Sequence, residues 1–290
     1  MSAPVETGEK VRPGLPRLQR MAARGEPFAA LTCYDAVTAR WLTRAGVHLL
    51  LVGDTAAEMV LGYRRTIDMP LDVLLALTAG VRRGAESAGP EHPAPVIMGD
   101  MPFLSYQASP DEAVRNAGRF LVEGGADVVK LEVDASFAPL VDRLSRAGVP
   151  VCAHVGSRPQ RAAMTGGYTS AGRTPEEADR IIGDARAMLD AGAVMLLVEA
   201  VPESVTAGVI ETAHRGGRVV PVIGIGAGPE CDGQVVVLHD LLGLTDRQPA
   251  FAPALAELGA SLRDAGEEWV RRVTSRSVGA SPYRVRSNAN

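Results

Sequence analysis

Several short apolar runs in this sequence end on residues that could do chemistry. Asp54 follows LLLVG, Asp100 follows VIMG, Lys130 and Glu132 stand inside VVKLE, His154 follows VCA, and Glu199 follows MLLV. Asp54, Asp100 and Glu132, if brought together, would raise one another's pKa unless a cation stood among them. With oxygen donors and no clustered Cys or His, the fitting ion is a hard one such as Mg²⁺, which keeps several waters and leaves positions for a chelating substrate. In the competing reading Lys130, two residues from Glu132 on the same strand face, pairs with one acid and no metal binds. One ammonium cannot neutralise three carboxylates, which favours the metal. His154 and Glu199 are the candidates for proton transfer. An isolated imidazole at a strand end is as often a scaffold hydrogen bonder as a substrate contact. Glu199 closes the unbroken apolar run AVMLLV, so partial desolvation suits it to proton exchange, with pairing to a cation as the alternative. The glycine-rich stretch at 224–228, GIGAG, could cradle a phosphate with backbone amides or simply let a strand turn.

These groups meet only if the segments carrying them converge. Short aliphatic runs at residues 28–33, 48–53, 95–99, 127–132, 149–154, 193–199, 219–225 and 234–238 alternate with Ala-rich stretches of helical period at 36–45, 71–87, 110–123, 137–147, 175–191 and 203–215. That alternation predicts parallel strands with crossover helices, and eight strands is the number of an α/β barrel. Gly46, Gly124, Gly148 and Gly192 stand where helices must stop and turn back. In such a barrel all strand C-termini face one side, so the ionisable strand ends would line one cup. A last periodic stretch at 253–273 is long enough for one or two helices that pack on the barrel or on a neighbouring subunit.

Composition bounds the rest. With 34 acidic and 30 basic side chains the net charge is -4, so there is no cationic excess to bind nucleic acid. A hydrophobic fraction of 46% supports a large core, and with aromatics at 4% that core must be aliphatic. Cys33, Cys152 and Cys231 are too scattered for a disulfide framework, which fits a reducing cytoplasm. No apolar run is long enough for a membrane span, and the N-terminus lacks the apolar core of a secretory signal. The expected organisation is an N-terminal arm at 1–24 that turns helical near its end, a single barrel domain with C-terminal helices at 25–275, and a tail at 276–290.

The strings LTCYDAVTARWLTRAGVHLLLVGD, MVLGY, MGDMPFLSY, VVKLE, CAHVGSRPQ, TGGY, LLVEAVP and PVIGIGAGPECDGQVVVLHDLLGL, in that order from about Phe28 to Leu244, resemble the ketopantoate hydroxymethyltransferase family. The resemblance implies a (β/α)₈ TIM barrel of the phosphoenolpyruvate/pyruvate type. It also implies Mg²⁺, 5,10-methylenetetrahydrofolate as one-carbon donor, a 2-oxo acid acceptor, and a homo-oligomer that is a ring-like decamer in bacterial members. It puts the metal on Asp54 and Asp100 with Glu132 acting through water, sets Lys130, His154 and Thr55 against the 2-oxo acid, and makes Glu199 the acid/base. Asp54 and Asp100 would reach the acceptor through the ion.

The chain departs from the family pattern around those residues. Thr55 stands for a serine and Arg64 for an aspartate. Val133 and Asp134 replace two glycines, and Ala171 lies in a loop reading Thr169, Ser170, Ala171, Gly172, Arg173 where Lys-Val-Gln-Gly-Arg is usual. These changes spare the ionisable core. Thr55, Val133 and Asp134 are therefore expected to reshape the acceptor pocket, because side chains with a Cβ fill space that glycine leaves open. The competing functions are a folate-independent, metal-dependent 2-oxo acid aldolase, a paralogue of the transferase with a different 2-oxo acid acceptor, and a catalytically silent barrel with an assembly role.

Overall fold

The computed structural model describes residues 14–217, 219–246 and 248–283. The start of the arm and the end of the tail lie outside the described residues. The chain divides into two compact units, Met1–Val237 and Leu238–Asn290.

In the first unit eight strands run β1 Phe28–Thr32, β2 Leu49–Val52, β3 Val96–Asp100, β4 Val128–Glu132, β5 Val151–Gly156, β6 Met195–Glu199, β7 Val222–Ile225 and β8 Gly233–Val236. They form a closed barrel in sequence order, every neighbour parallel, with β1 hydrogen-bonded to both β2 and β8. The helices are α1 Leu15–Ala23, α2 Ala36–Arg44, α3 Ala56–Met59, α4 Leu71–Glu86, α5 Pro110–Val122, α6 Ala138–Arg146, α7 Ala162–Thr165, α8 Pro175–Asp190 and α9 Glu203–Ala213. Strands expected to begin at 149 and 219 start later because Pro150 and Pro221 supply no N–H to the ladder. Their carbonyls still accept, from the N–H of Val129 at 3.0 Å and of Leu196 at 2.9 Å.

Helix starts follow from local chemistry. Asp35, Ser109 and Thr174 each accept a backbone N–H from three residues on, and Pro110 and Pro175 open α5 and α8 where a missing N–H costs nothing. Gly46, Gly148 and Gly192 take the left-handed conformation at helix ends as expected. After α5 that role falls to Gly125, at φ +66°, and not to Gly124.

Strand alternation sorts side chains into two cores. Outward residues such as Leu50, Val52, Ile97, Val129, Leu131, Val155 and Val198 pack against the helices. Inward residues Phe28, Ala30, Leu49, Leu51, Val96, Met98, Val128, Cys152, Met195, Leu197, Ile223 and Val235 fill the barrel, and Leu18 of α1 joins them. The barrel interior is thus aliphatic apart from Phe28, whose ring lies against Gly233. A Cβ at Gly233 would come within 2.2 Å of that ring, so glycine is what lets β8 close on β1.

The second unit contains α10 Leu238–Leu241 and α11 Leu258–Thr274. The expected strand end at Leu238 is instead the first residue of α10. The stretch expected to be helical at 253–273 forms one helix, α11, which exposes Leu262, Trp269 and Val270.

Candidate active site

The apolar fill stops one layer below the C-terminal rim of the barrel. Above Leu51, Leu197, Ile225 and Val235 the inward positions turn polar, and Asp54, Thr55, Asp100, Lys130, Glu132, His154 and Glu199 line one small cup. The structure therefore brings together every site residue expected from the sequence. Register explains it: Asp100 pairs with Lys130, Glu132 with His154, and Gly156 with Glu199 across adjacent strands.

All but Thr55 and Glu199 are buried. Asp54, Asp100, Lys130, Glu132 and His154 expose 5% or less, whereas a quarter of the Glu199 side chain, 25%, is open. Lys130 Nζ pairs with Asp100 Oδ2 at 2.9 Å, and the same oxygen accepts the Asp54 N–H at 3.0 Å. Burial pushes the Asp100 carboxyl up to about 7; Lys130 opposes the shift and Asp54 adds to it. Burial likewise lifts Glu132 well above the usual carboxylate range, with Lys130 opposing and Asp54 and Asp100 reinforcing. For Lys130, burial works against the charge, but Asp100, Asp54 and Glu132 outweigh it and hold the ammonium protonated.

His154 stands between two acids, Nδ1 at 3.7 Å from Glu132 Oε1 and Nε2 at 3.3 Å from Glu199 Oε2. Burial, then Lys130, lowers its pKa against the pull of Glu199, so the ring is neutral at pH 7. Glu199 is held by its backbone. Gly156, at φ +95°, passes so close that a Cβ there would sit 2.7 Å from the Glu199 carbonyl, which accepts the Ser157 N–H at 2.9 Å. The next residue, Ala200, adopts φ +49° without being glycine, a conformation that costs about 1 kcal/mol and turns the chain sharply beyond Glu199.

Two functional neighbours were missed by reasoning from the sequence. Gln160, 4% exposed, donates from Nε2 to Asp54 Oδ2 at 3.0 Å and from its backbone N–H to Glu132 Oε2 at 2.9 Å. The Tyr106 hydroxyl stands 2.9 Å from Gln160 Oε1 and 3.0 Å from the Glu132 carbonyl. Neither lies at a strand end and neither is charged, so strand-end inspection passes over both. Lys130 had a stronger signal than its strand: only Lys10 and Lys130 are lysines among 30 basic residues, so a compact ammonium stands where the chain otherwise uses arginine.

Asp100 Oδ1 and Glu132 Oε1 are buried without a hydrogen-bond partner, which leaves charge-bearing lone pairs facing the cup. A divalent ion with its waters fits that need. Among the described residues no three His, Cys, Asp or Glu groups form a ready cage, so the fit is to an ion held by one or two carboxylates with water and substrate completing the shell.

The altered residues divide. Thr55 lines the cup, as expected. Val133 does not: it is 1% exposed and points outward into the helix-facing core, because Glu132 before it points inward. Asp134 also lies off the cup, accepting from Arg158 at 2.6 Å and Arg161 at 3.2 Å. Arg64 lines a separate cavity with Pro159 and Tyr168, and the Ala171 N–H donates to Ala200 O at 3.0 Å. Gly224 packs against Cys231 Sγ while Gly226 and Gly228 turn the chain, so the glycine-rich run has reasons of packing and backbone conformation. Beside Gln160 a cavity of about 390 Å³ opens between Ile67, Phe103, Tyr106, Phe137 and Met164.

The closed parallel barrel is a fold that this chain shares with solved structures of low sequence identity. The phosphoenolpyruvate phosphomutase of Streptomyces platensis superposes with a TM-score of 0.58 at 14% identity, covering 90% of this chain and 88% of that one. The sequence is more specific. The family model for ketopantoate hydroxymethyltransferase matches residues 12–280, and the chain belongs to that family. It is 41% identical over 247 residues to the 3-methyl-2-oxobutanoate hydroxymethyltransferase of Pyrobaculum aerophilum, covering 85% of this chain and 89% of that protein. The protein of the same name from an Anaeromyxobacter strain is 42% identical over 273 residues, covering 93% and 87%.

Proposed function

We propose that this chain transfers the one-carbon unit of 5,10-methylenetetrahydrofolate to C3 of 3-methyl-2-oxobutanoate as a hydroxymethyl group, with one water supplying the hydroxyl oxygen, giving 2-dehydropantoate and tetrahydrofolate. The observation that carries the reading is the buried set Asp54, Asp100, Lys130 and Glu132, in which two carboxylate oxygens lack partners. Asp54 and Asp100 would hold Mg²⁺ with Glu132 acting through water. Bound there, the ion supplies positive charge to a chelating 2-oxo acid and lowers the cost of removing its C3 proton.

The chain's own groups do the rest. Lys130, His154 and Thr55 face the carboxylate and keto oxygens, and neutral His154 contributes a hydrogen bond without a competing charge. Glu199, more open than the other acids and next to His154, takes the C3 proton and later returns one to the departing donor nitrogen. The floor of Leu51, Leu197, Ile225 and Val235 excludes water beneath the reacting carbon. The cavity beside Gln160 gives room for the donor.

A homo-oligomer, decameric as in the resemblance, would cover the apolar face of α11. The three cysteines are buried and free, consistent with a cytoplasmic protein, and no described helix is long and apolar enough to cross a membrane.

The test is an incubation of purified protein with Mg²⁺, methylenetetrahydrofolate and a panel of branched 2-oxo acids, read by mass spectrometry for gain of one CH₂O unit. Product that forms equally well from formaldehyde without folate would replace this reading with the aldolase. No product from any acceptor would leave the silent barrel.

A further inference from the structure

We infer that Gln160 is a positioning residue that holds Asp54 and Glu132 in register for a divalent ion; the inference rests on the metal reading above. Asp54 follows β2 and Glu132 ends β4, with β3 between them, so no strand ladder fixes one acid against the other. Gln160 does. Its side chain fixes Asp54 and its backbone N–H fixes Glu132, from a single buried residue. Each acid thereby has one oxygen occupied, and in Glu132 the other oxygen, Oε1, is left buried without a partner.

The amide can sit only one way round. Nε2 faces two acceptors, Asp54 Oδ2 and the Met101 carbonyl at 3.1 Å, while Oε1 faces two donors, the Tyr106 hydroxyl and Gln107 Nε2 at 3.2 Å. Turning it over would set Oε1 against two oxygens, Asp54 Oδ2 and the Met101 carbonyl. A neutral amide also suits the task chemically. Lysine or arginine here would neutralise the acids and compete with the ion, and glutamate would add a fourth negative charge.

The segment that carries Gln160 is pinned from outside. Asp134 accepts from Arg158 and Arg161, the two arginines flanking Pro159 and Gln160. The departure at 134 thus secures the loop that delivers the amide.

The experiment titrates the full chain with Mn²⁺, following free Mn²⁺ by electron paramagnetic resonance, in the wild type, Gln160→Leu and Gln160→Glu. Loss of an outer-shell partner weakens metal affinity by about 10- to 100-fold, and that loss is expected for Gln160→Leu with cooperative unfolding retained. Gln160→Glu loses the same donor but adds a charge that attracts the cation, so it should bind Mn²⁺ more tightly than Gln160→Leu. A folded Gln160→Leu that binds Mn²⁺ as tightly as the wild type overturns the inference, since a merely structural residue would lower thermal stability alone. If Gln160→Leu does not fold, Gln160→Asn keeps a neutral amide but is one methylene too short to reach Asp54. Weakened binding in that variant supports the inference and unchanged binding overturns it. A wild type that binds no Mn²⁺ fails one step earlier, at the metal reading, and takes the inference with it.

Discussion

Lys130→Met replaces an ammonium by an apolar chain of similar length and leaves Asp100 buried without its ion-pair partner. Breaking a buried pair by removing one member costs about 3–5 kcal/mol, because the remaining charge is uncompensated. That cost applies only while Asp100 is ionised. Its folded pKa is about 7 with Lys130 in place, above the ordinary value of 3.8, and removing Lys130 moves it higher still. A carboxyl whose folded pKa is raised contributes fully below its unfolded pKa and loses that contribution as pH rises through the folded value. At pH 5 Asp100 is therefore neutral in both proteins, and the substitution costs no more than a hydrogen bond, about 1 kcal/mol. At pH 8 the wild type ionises Asp100 against Lys130, whereas the variant keeps it protonated at a cost of about 1.4 kcal/mol for each pH unit above the wild-type pKa. Urea unfolding in the presence of chelator should therefore show the destabilisation growing by about 1.4 kcal/mol between pH 5 and pH 8, one pH unit above that pKa. Equal destabilisation at both pH values would refute the assignment of Lys130 as the counter-charge of the cup. Lys130→Arg should not restore the wild type, because a planar fork does not fit a site built for a compact ammonium.

Asp100→Asn should abolish turnover and weaken Mg²⁺ binding measured by calorimetry while the far-ultraviolet circular dichroism stays unchanged; full activity would exclude Asp100 as a ligand. Glu199→Gln should slow exchange of the C3 proton into deuterated water by about 10²- to 10⁴-fold, followed by nuclear magnetic resonance with Mg²⁺ present and folate absent. A normal rate there with a slow His154→Asn would move the base to His154. Val133→Gly should cost about 1–3 kcal/mol in chemical unfolding and leave the acceptor preference untouched, since Val133 packs against the helices. A changed acceptor ratio would put Val133 back in the pocket.

The barrel and its charged cup were legible because two periodicities carry them. Alternating strands and helices gave the fold, and each inward series ended in an ionisable residue that only convergence on one face makes useful. The same parity assigns Val133: with Glu132 inward, its neighbour must face the helices, and reading the position as pocket wall passed over that alternation. Asp134 was misplaced for another reason. Its partners Arg158 and Arg161 lie on a loop more than twenty residues away, and loop geometry has no period to read. Gln160 and Tyr106 are neutral loop residues whose importance lies entirely in what they touch. Strand starts at 151 and 222 were legible in principle from Pro150 and Pro221.

Closure of the barrel has a kinetic side. β1 and β8 pair across about two hundred residues of sequence, so the ring cannot shut until nearly the whole barrel has been synthesised, and contacts of such separation form slowly. The acids of the cup are not tied to that step: Asp54, Asp100 and Glu132 stand at the ends of β2, β3 and β4, which pair as sequence neighbours, so they and Lys130 can gather before the ring shuts. A divalent ion at millimolar concentration would then favour the segment that gathers the acids and leave the rate of the closing step unchanged.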